Sequence, residues 1–141
     1  MWPKEFEPRL VEWNNLRRDC ASLDLSSCVS AINDWWFQCP WRPYHLHWDD
    51  RATWPDPWDL LADNVYCDLA RALGIVYTLM LLEHDNAMTI QLADTDQGNL
   101  VLVDDGKYIL NWSQGEVLNI HSTPITIKKI VDSNELKNKL G

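Results

Sequence analysis

The first firm pattern in the chain is a helical one. Leu25, Val29, Ile32 and Trp36 form one apolar stripe along SLDLSSCVSAINDWWFQ, spaced four, three and four residues apart. Asp24 or Ser26 stands where an N-cap is needed. Upstream, Pro3 and Pro8 interrupt residues 1–9, which predicts an N-terminal arm followed by a short helix from about Leu10 to Arg18. A second helical stripe runs through Trp58, Leu61, Val65, Leu69 and Ala72. Asp56-Pro57 opens it as cap and first-turn proline, and Leu73-Gly74 closes it with glycine as the left-handed residue.

After Gly74 the period changes. IVYTLMLL is a continuous apolar run, which predicts a central strand buried on both faces, with a helix running on through it as the competitor. AMTIQLA, NLVLVDD, KYILNWS and EVLNI follow as short strands, parted by the turn signals Asp96-Gln97-Gly98, Asp105-Gly106 and Gln114-Gly115. ITIKKIV supplies a last strand, and residues 132–141 a basic tail helix capped by Asp132 or Ser133. Helices first and antiparallel strands after predict an α+β fold, in a single domain over residues 1–141.

Residues 40–57 have no period. CPWRPYHLHWDDRATWPDP is rich in proline and tryptophan, and a loop of that length inside a domain is packed or functional rather than slack. Six of the chain's nine tryptophans fall between Trp35 and Trp58, and Trp41, Trp48 and Trp54 lie in the loop itself. Tryptophan joins large apolar area to an N–H that needs a partner, so these three predict aromatic anchors for a protein partner or for self-association.

Charge narrows the range of partners. Twenty-one acidic against 12 basic side chains leave a net charge of -9. Such a field repels phosphate backbones and anionic lipid, which excludes nucleic-acid binding driven by counterion release and disfavours membranes. The longest apolar run, Gly74–Leu82, is too short to span a bilayer, and MWPKEFEPRL has no apolar core of a secretory signal. Cys20, Cys28, Cys39 and Cys67 include no C-x-x-C pair, so reduced thiols are expected rather than a zinc ribbon or a disulfide framework. No Walker, Rossmann or G-x-S-x-G pattern occurs, and no cofactor is expected.

Four groups of residues could carry chemistry. Cys67 falls within the second helical stripe in DNVYCDLARALGI, where a small buried hydrophobe and a nucleophile compete as readings; Asp68 beside it sets a negative charge where a thiolate would form. His45 and His47 alternate in HLHWDD, so in an extended segment both imidazoles share a face and Asp49 could complete a metal site. Asp94, Asp96, Asp104 and Asp105 flank the strand turns, where Asp bonds its own backbone. Lys128, Lys129, Lys137 and Lys139 make the C-terminal end basic, a solvated face without a glycine-rich phosphate loop.

A cysteine on a helix that ends in Gly-Ile, followed by a strand pair, resembles the transglutaminase-like branch of the papain-type superfamily. The resemblance covers about Ser30–Asp105: YCDLARALGI aligns Cys67 with the nucleophile, NAMTIQL with the histidine strand and NLVLVDD with the aspartate strand at Asp104. It implies a scaffold whose catalytic histidine position holds Asn86, with His84 two residues earlier. A longer string, WWFQCPWRPYHLHWDD and TWPDPWDLLADNVYCDLARALGIVYTLML, is similar to small uncharacterised proteins of large contractile-tailed marine phages. That likeness implies a product of the host bacterial cytoplasm or the virion. Together they lead to a non-catalytic interaction or virion-assembly protein on a degenerate scaffold. The alternatives are an acyl-transfer or hydrolytic enzyme using Cys67, His84 or His47, and Asp104, and a metal-binding module through His45 and His47.

Overall fold

A computed structural model describes residues 2–43, 46–82 and 88–140. Four α-helices come first: α1 (Phe6–Cys20), α2 (Leu25–Trp36), α3 (Pro57–Asp63) and α4 (Asp68–Met80). Five strands follow: β1 (Ile90–Thr95), β2 (Gly98–Val103), β3 (Tyr108–Ser113), β4 (Glu116–Leu118) and β5 (Ile127–Asp132). Two 3-10 segments, Trp48–Thr53 and Ser133–Leu140, complete the order.

Helix α2 has the predicted stripe, and Asp24 caps it by accepting the Ser27 N–H at 3.0 Å. Asp56 caps α3 in the same way, accepting from Asp59 N–H at 2.8 Å. Helix α1 starts earlier than Pro8 suggested, because proline in a first turn gives up only an N–H that has no helical partner there. Its buried Arg9 ties it to α3 and the arm, donating from Nε to the Leu61 carbonyl at 2.7 Å and from Nη1 to the Pro3 carbonyl at 2.9 Å.

Two expectations are corrected at α4. The run Ile75–Met80 is helix, not strand, and Gly74 lies mid-helix rather than at a C-terminus. Residues Leu69–Leu79 are buried almost without interruption, so α4 has no polar face and hence no stripe to betray its period. Gly74 serves close approach: the Trp36 ring of α2 lies where a Cβ would sit. Thr78, one turn on, donates to the Gly74 carbonyl at 2.7 Å and accepts from the indoles of Trp13 at 2.8 Å and Trp36 at 2.9 Å. Trp2 of the arm joins Trp35, Trp36 and Tyr66 in an aromatic cluster against this seam.

The strands form one antiparallel sheet in the order β4-β3-β2-β1-β5. Alternation sorts its side chains. Leu92, Val101, Val103, Leu110 and Val131 belong to the helical core, while Ala93, Leu100, Leu102 and Ile109 form a second cluster capped by Trp112, Leu118, Ile120 and Ile125. The tail after β5 is 3-10 rather than α-helix. Among the described residues no helix is long and apolar enough to cross a membrane.

Buried acids set the behaviour at high pH. Burial raises the phenols of Tyr66 and Tyr77 well above their ordinary value, and pushes the Cys39 thiol up to about 11. Each folded value lies above the unfolded one, so the contribution is complete below the unfolded pKa values and is lost as pH rises toward the folded ones. The denaturation midpoint is therefore expected to fall above about pH 9–10, with tyrosinate absorbance from these two phenols appearing only on unfolding. A midpoint that holds well beyond pH 11 contradicts this assignment.

Candidate functional site

Between α3 and α4 the chain takes one extended step. Asn64, at φ 55°, ends α3 in the left-handed region that Asn tolerates. Tyr66 then pairs with Trp41 in an isolated parallel bridge: its N–H donates to the Pro40 carbonyl at 3.0 Å, and its carbonyl accepts from Arg42 N–H at 2.8 Å. Cys67 follows as the N-cap of α4, its Sγ accepting from Ala70 N–H at 3.4 Å. The helical stripe read through Trp58–Ala72 is thus two helices, and the thiol lies at a helix start rather than inside one.

A cleft of about 290 Å3 opens over this step, with Trp41, Pro43, Leu46 and Leu69 as apolar walls and Cys67, Asp68 and Asn99 as its polar groups. Cys67 is 5% exposed. Asn99, at the start of β2, donates to Asp68 Oδ2 through its backbone N–H at 2.7 Å and its side-chain Nδ2 at 3.1 Å. Its Oδ1 accepts from Trp48 Nε1 at 2.6 Å. Asn111, on the neighbouring β3, donates from Nδ2 to the Asn99 carbonyl at 2.7 Å and to Asp68 Oδ1 at 3.2 Å.

The far side of Asn111 is equally occupied. Its Oδ1 accepts from Arg71 Nε at 2.6 Å, and its N–H donates to Asn33 Oδ1 of α2 at 2.9 Å. Arg71 sits over the Phe37 ring at 3.9 Å, and its Nη2 lies 3.4 Å from Asp68 Oδ1. Asp68 is the hub: a partly buried carboxylate neutralised by Arg71 and held by two amides from adjacent strands. Such a network fixes α4 against the sheet and fixes the polar wall of the cleft. An amide takes up no proton at neutral pH, so neither asparagine is a base for Cys67.

The other predicted residues fall elsewhere. Asp104 sits at the opposite end of β2, five residues from Asn99 and about 16 Å along the strand; it has φ 57° and its N–H donates to the Thr89 carbonyl at 2.8 Å. The strands beside the Cys67–Asp68 step are β2 and β3, one strand further along the chain than the sequence alignment placed them. His45, His84 and Asn86 lie outside the described residues. His47 caps the 3-10 segment Trp48–Thr53, with its carbonyl accepting from Trp54 Nε1 at 2.8 Å. Asp49 pairs with Lys129 at 2.9 Å, and among the described residues no three His, Cys, Asp or Glu side chains gather as a metal site.

The three loop tryptophans have three different environments. Trp41 is 61% exposed at the rim of the cleft, whereas Trp54 is 2% exposed and packs edge-on against half-buried Trp48. Trp48 and Trp54 spend their indole N–H groups inside the chain. Asn99 and Asn111 were not singled out by the sequence reading. Their signal was present nonetheless, because asparagine is depleted in strands and one stands in each of NLVLV and YILNWS.

Helices followed by a five-stranded antiparallel sheet make the fold α+β, and its structural neighbours have the transglutaminase-like fold. Those neighbours include two structures of LapG from Legionella pneumophila. The EGTA-treated form aligns at TM-score 0.72 and 14% identity, covering 94% of this chain and 76% of LapG. A second LapG structure aligns at TM-score 0.70 and 14% identity, covering 99% of this chain and 89% of LapG. At that identity the likeness is one of fold alone. No family model and no curated protein matches the sequence.

Proposed function

We propose that this chain is a non-catalytic binding protein on a transglutaminase-like scaffold, and that the cleft over Cys67 receives a group from a protein partner. One observation carries the reading. Among the described residues, the polar side chains that the sheet sets against Asp68, next to Cys67, are the amides of Asn99 and Asn111, both engaged by neighbours. Acyl transfer by a thiol needs a group that takes its proton and later returns it to the leaving group. An amide orients an imidazole but does not replace one.

What remains is a shaped recess with apolar walls and an exposed indole at its rim, the kind of surface on which aromatic anchors supply most of the binding energy. The resemblance to phage proteins extends this reading to an interaction or assembly role in the host cytoplasm or virion.

A second reading has its own support. Cys67 caps a helix and lines a cleft, a placement that activates thiols, so an enzyme with His84 or His47 as base and Cys67 as nucleophile is the alternative. Native labelling separates the two. The folded protein is treated with iodoacetamide at neutral pH and Cys67 is followed by peptide mass spectrometry. The binding reading expects labelling at least about tenfold slower than in the urea-unfolded chain, from burial without a base. Labelling of Cys67 faster in the folded than in the unfolded protein establishes an activated nucleophile and overturns the binding reading.

A further inference from the structure

Two cysteines away from the cleft lie together. Cys20 ends α1 and Cys28 belongs to the first turns of α2, with only the connector Ala21–Asp24 and the start of α2 between them. Both are fully buried. Cys20 Sγ donates to the Cys28 carbonyl oxygen at 3.8 Å, and each side chain shifts the ionisation of the other. Free cysteine is an ordinary core residue, but a core does not need two of them side by side.

We infer that Cys20 and Cys28 form an oxidisable dithiol that a hydroperoxide closes to an intrachain disulfide, latching α1 to α2. The pair is chemically asymmetric. The hydrogen bond from Cys28 holds the Cys20 thiol below its ordinary pKa, and the same contact pushes Cys28 up. Cys20 is accordingly the attacking sulfur. Its thiolate attacks one peroxide oxygen; the S–O bond forms, the O–O bond breaks, and the departing hydroxide takes a proton to become water. Cys28 sulfur then attacks Cys20 sulfur, the S–S bond forms as S–O breaks, and the second hydroxide leaves as water with the Cys28 proton. Two thiols lose two electrons and one peroxide becomes two waters.

Access runs through the connector, whose residues Ala21, Ser22, Leu23 and Asp24 are all exposed, so a small oxidant reaches the pair when the end of α1 opens locally. The latch would hold α2, which carries Trp36 against Gly74 and Asn33 against Asn111, and so would brace the wall behind the cleft.

The full chain, reduced and then exposed to stoichiometric hydrogen peroxide, tests this. Quenching by alkylation, intact mass and non-reducing peptide mapping are expected to show loss of two thiols and a Cys20–Cys28 cross-link. The thermal midpoint is expected to rise by about 5 °C and to fall back with dithiothreitol. In Cys28→Ala the cross-link and the rise vanish, and Cys20 stops as a sulfenic acid trapped by dimedone. Cys20→Ala, which removes the attacking sulfur, likewise loses the cross-link and gives no trapped product at Cys28. A Cys39–Cys67 cross-link in place of Cys20–Cys28, four thiols still alkylatable after denaturation, or a midpoint that drops on oxidation overturns the inference.

Discussion

Gly74→Ala is expected to lower the thermal midpoint by about 10 °C. An added Cβ would lie 2.5 to 2.6 Å from three ring atoms of Trp36. That ring has no room to retreat: it is fully buried, flanked by Trp2, Trp35 and Tyr66, and its Nε1 is fixed on Thr78 Oγ1 at 2.9 Å. Overpacking costs about 1–3 kcal/mol, and displacing the indole from Thr78 adds roughly 1–2 kcal/mol. Alanine returns about 1 kcal/mol through helix propensity. The net, about 1–4 kcal/mol and centred near 2.5, sets the expected shift. Thermal melts of Gly74→Ala, Trp36→Leu and the double variant check the cause. Shrinking the ring makes room for the methyl, so the double variant is expected to be more stable than the two single losses summed. A Gly74→Ala midpoint equal to that of the unsubstituted chain contradicts the close approach.

The same seam explains what could and could not be read from the chain. Helix α2 is legible because it has a polar side; its stripe and its Asp24 cap follow directly from the spacing. The hairpins are legible because Gly98, Gly106 and Gly115 all have positive φ at the turn positions their sequences announced. Helix α4 is not, because it is packed by α2, α3 and the sheet and has an apolar surface on nearly every side. Periodicity is silent about an element with no solvent face. Gly74 then looked like a terminator, since a glycine for close approach and a glycine for a left-handed cap are the same letter.

The site was half legible for a related reason. Cys67 was identified as the residue to ask about, but its place as a cap depends on Tyr66 leaving the helix to pair with Trp41, a contact 25 positions away in sequence. Asp104 is an aspartate at a strand end, and strand direction carries it to the end of β2 away from Asn99. The described strand residues that hold Asp68, next to the thiol, are asparagines, a type that a search for acids and bases passes over. Trp41, Trp48 and Trp54 looked alike in the loop, and only the fold distinguishes the exposed anchor from the two that pack inside.

The central proposal is that the cleft over Cys67 binds rather than catalyses, with Asn99, an amide, as the side chain that β2 brings to it among the described residues. Asn99→His supplies an imidazole in the cleft, with the Asp68 carboxylate already within reach of the side chain at that position. The measurement is the rate of Cys67 carboxamidomethylation by iodoacetamide at neutral pH in the folded protein, for the unsubstituted chain and for Asn99→His. A thiol given a positioned proton acceptor is expected to react on the order of 100-fold faster than in the unsubstituted chain. Equal rates in the two proteins, or an unsubstituted Cys67 that already reacts at the faster rate, would contradict it.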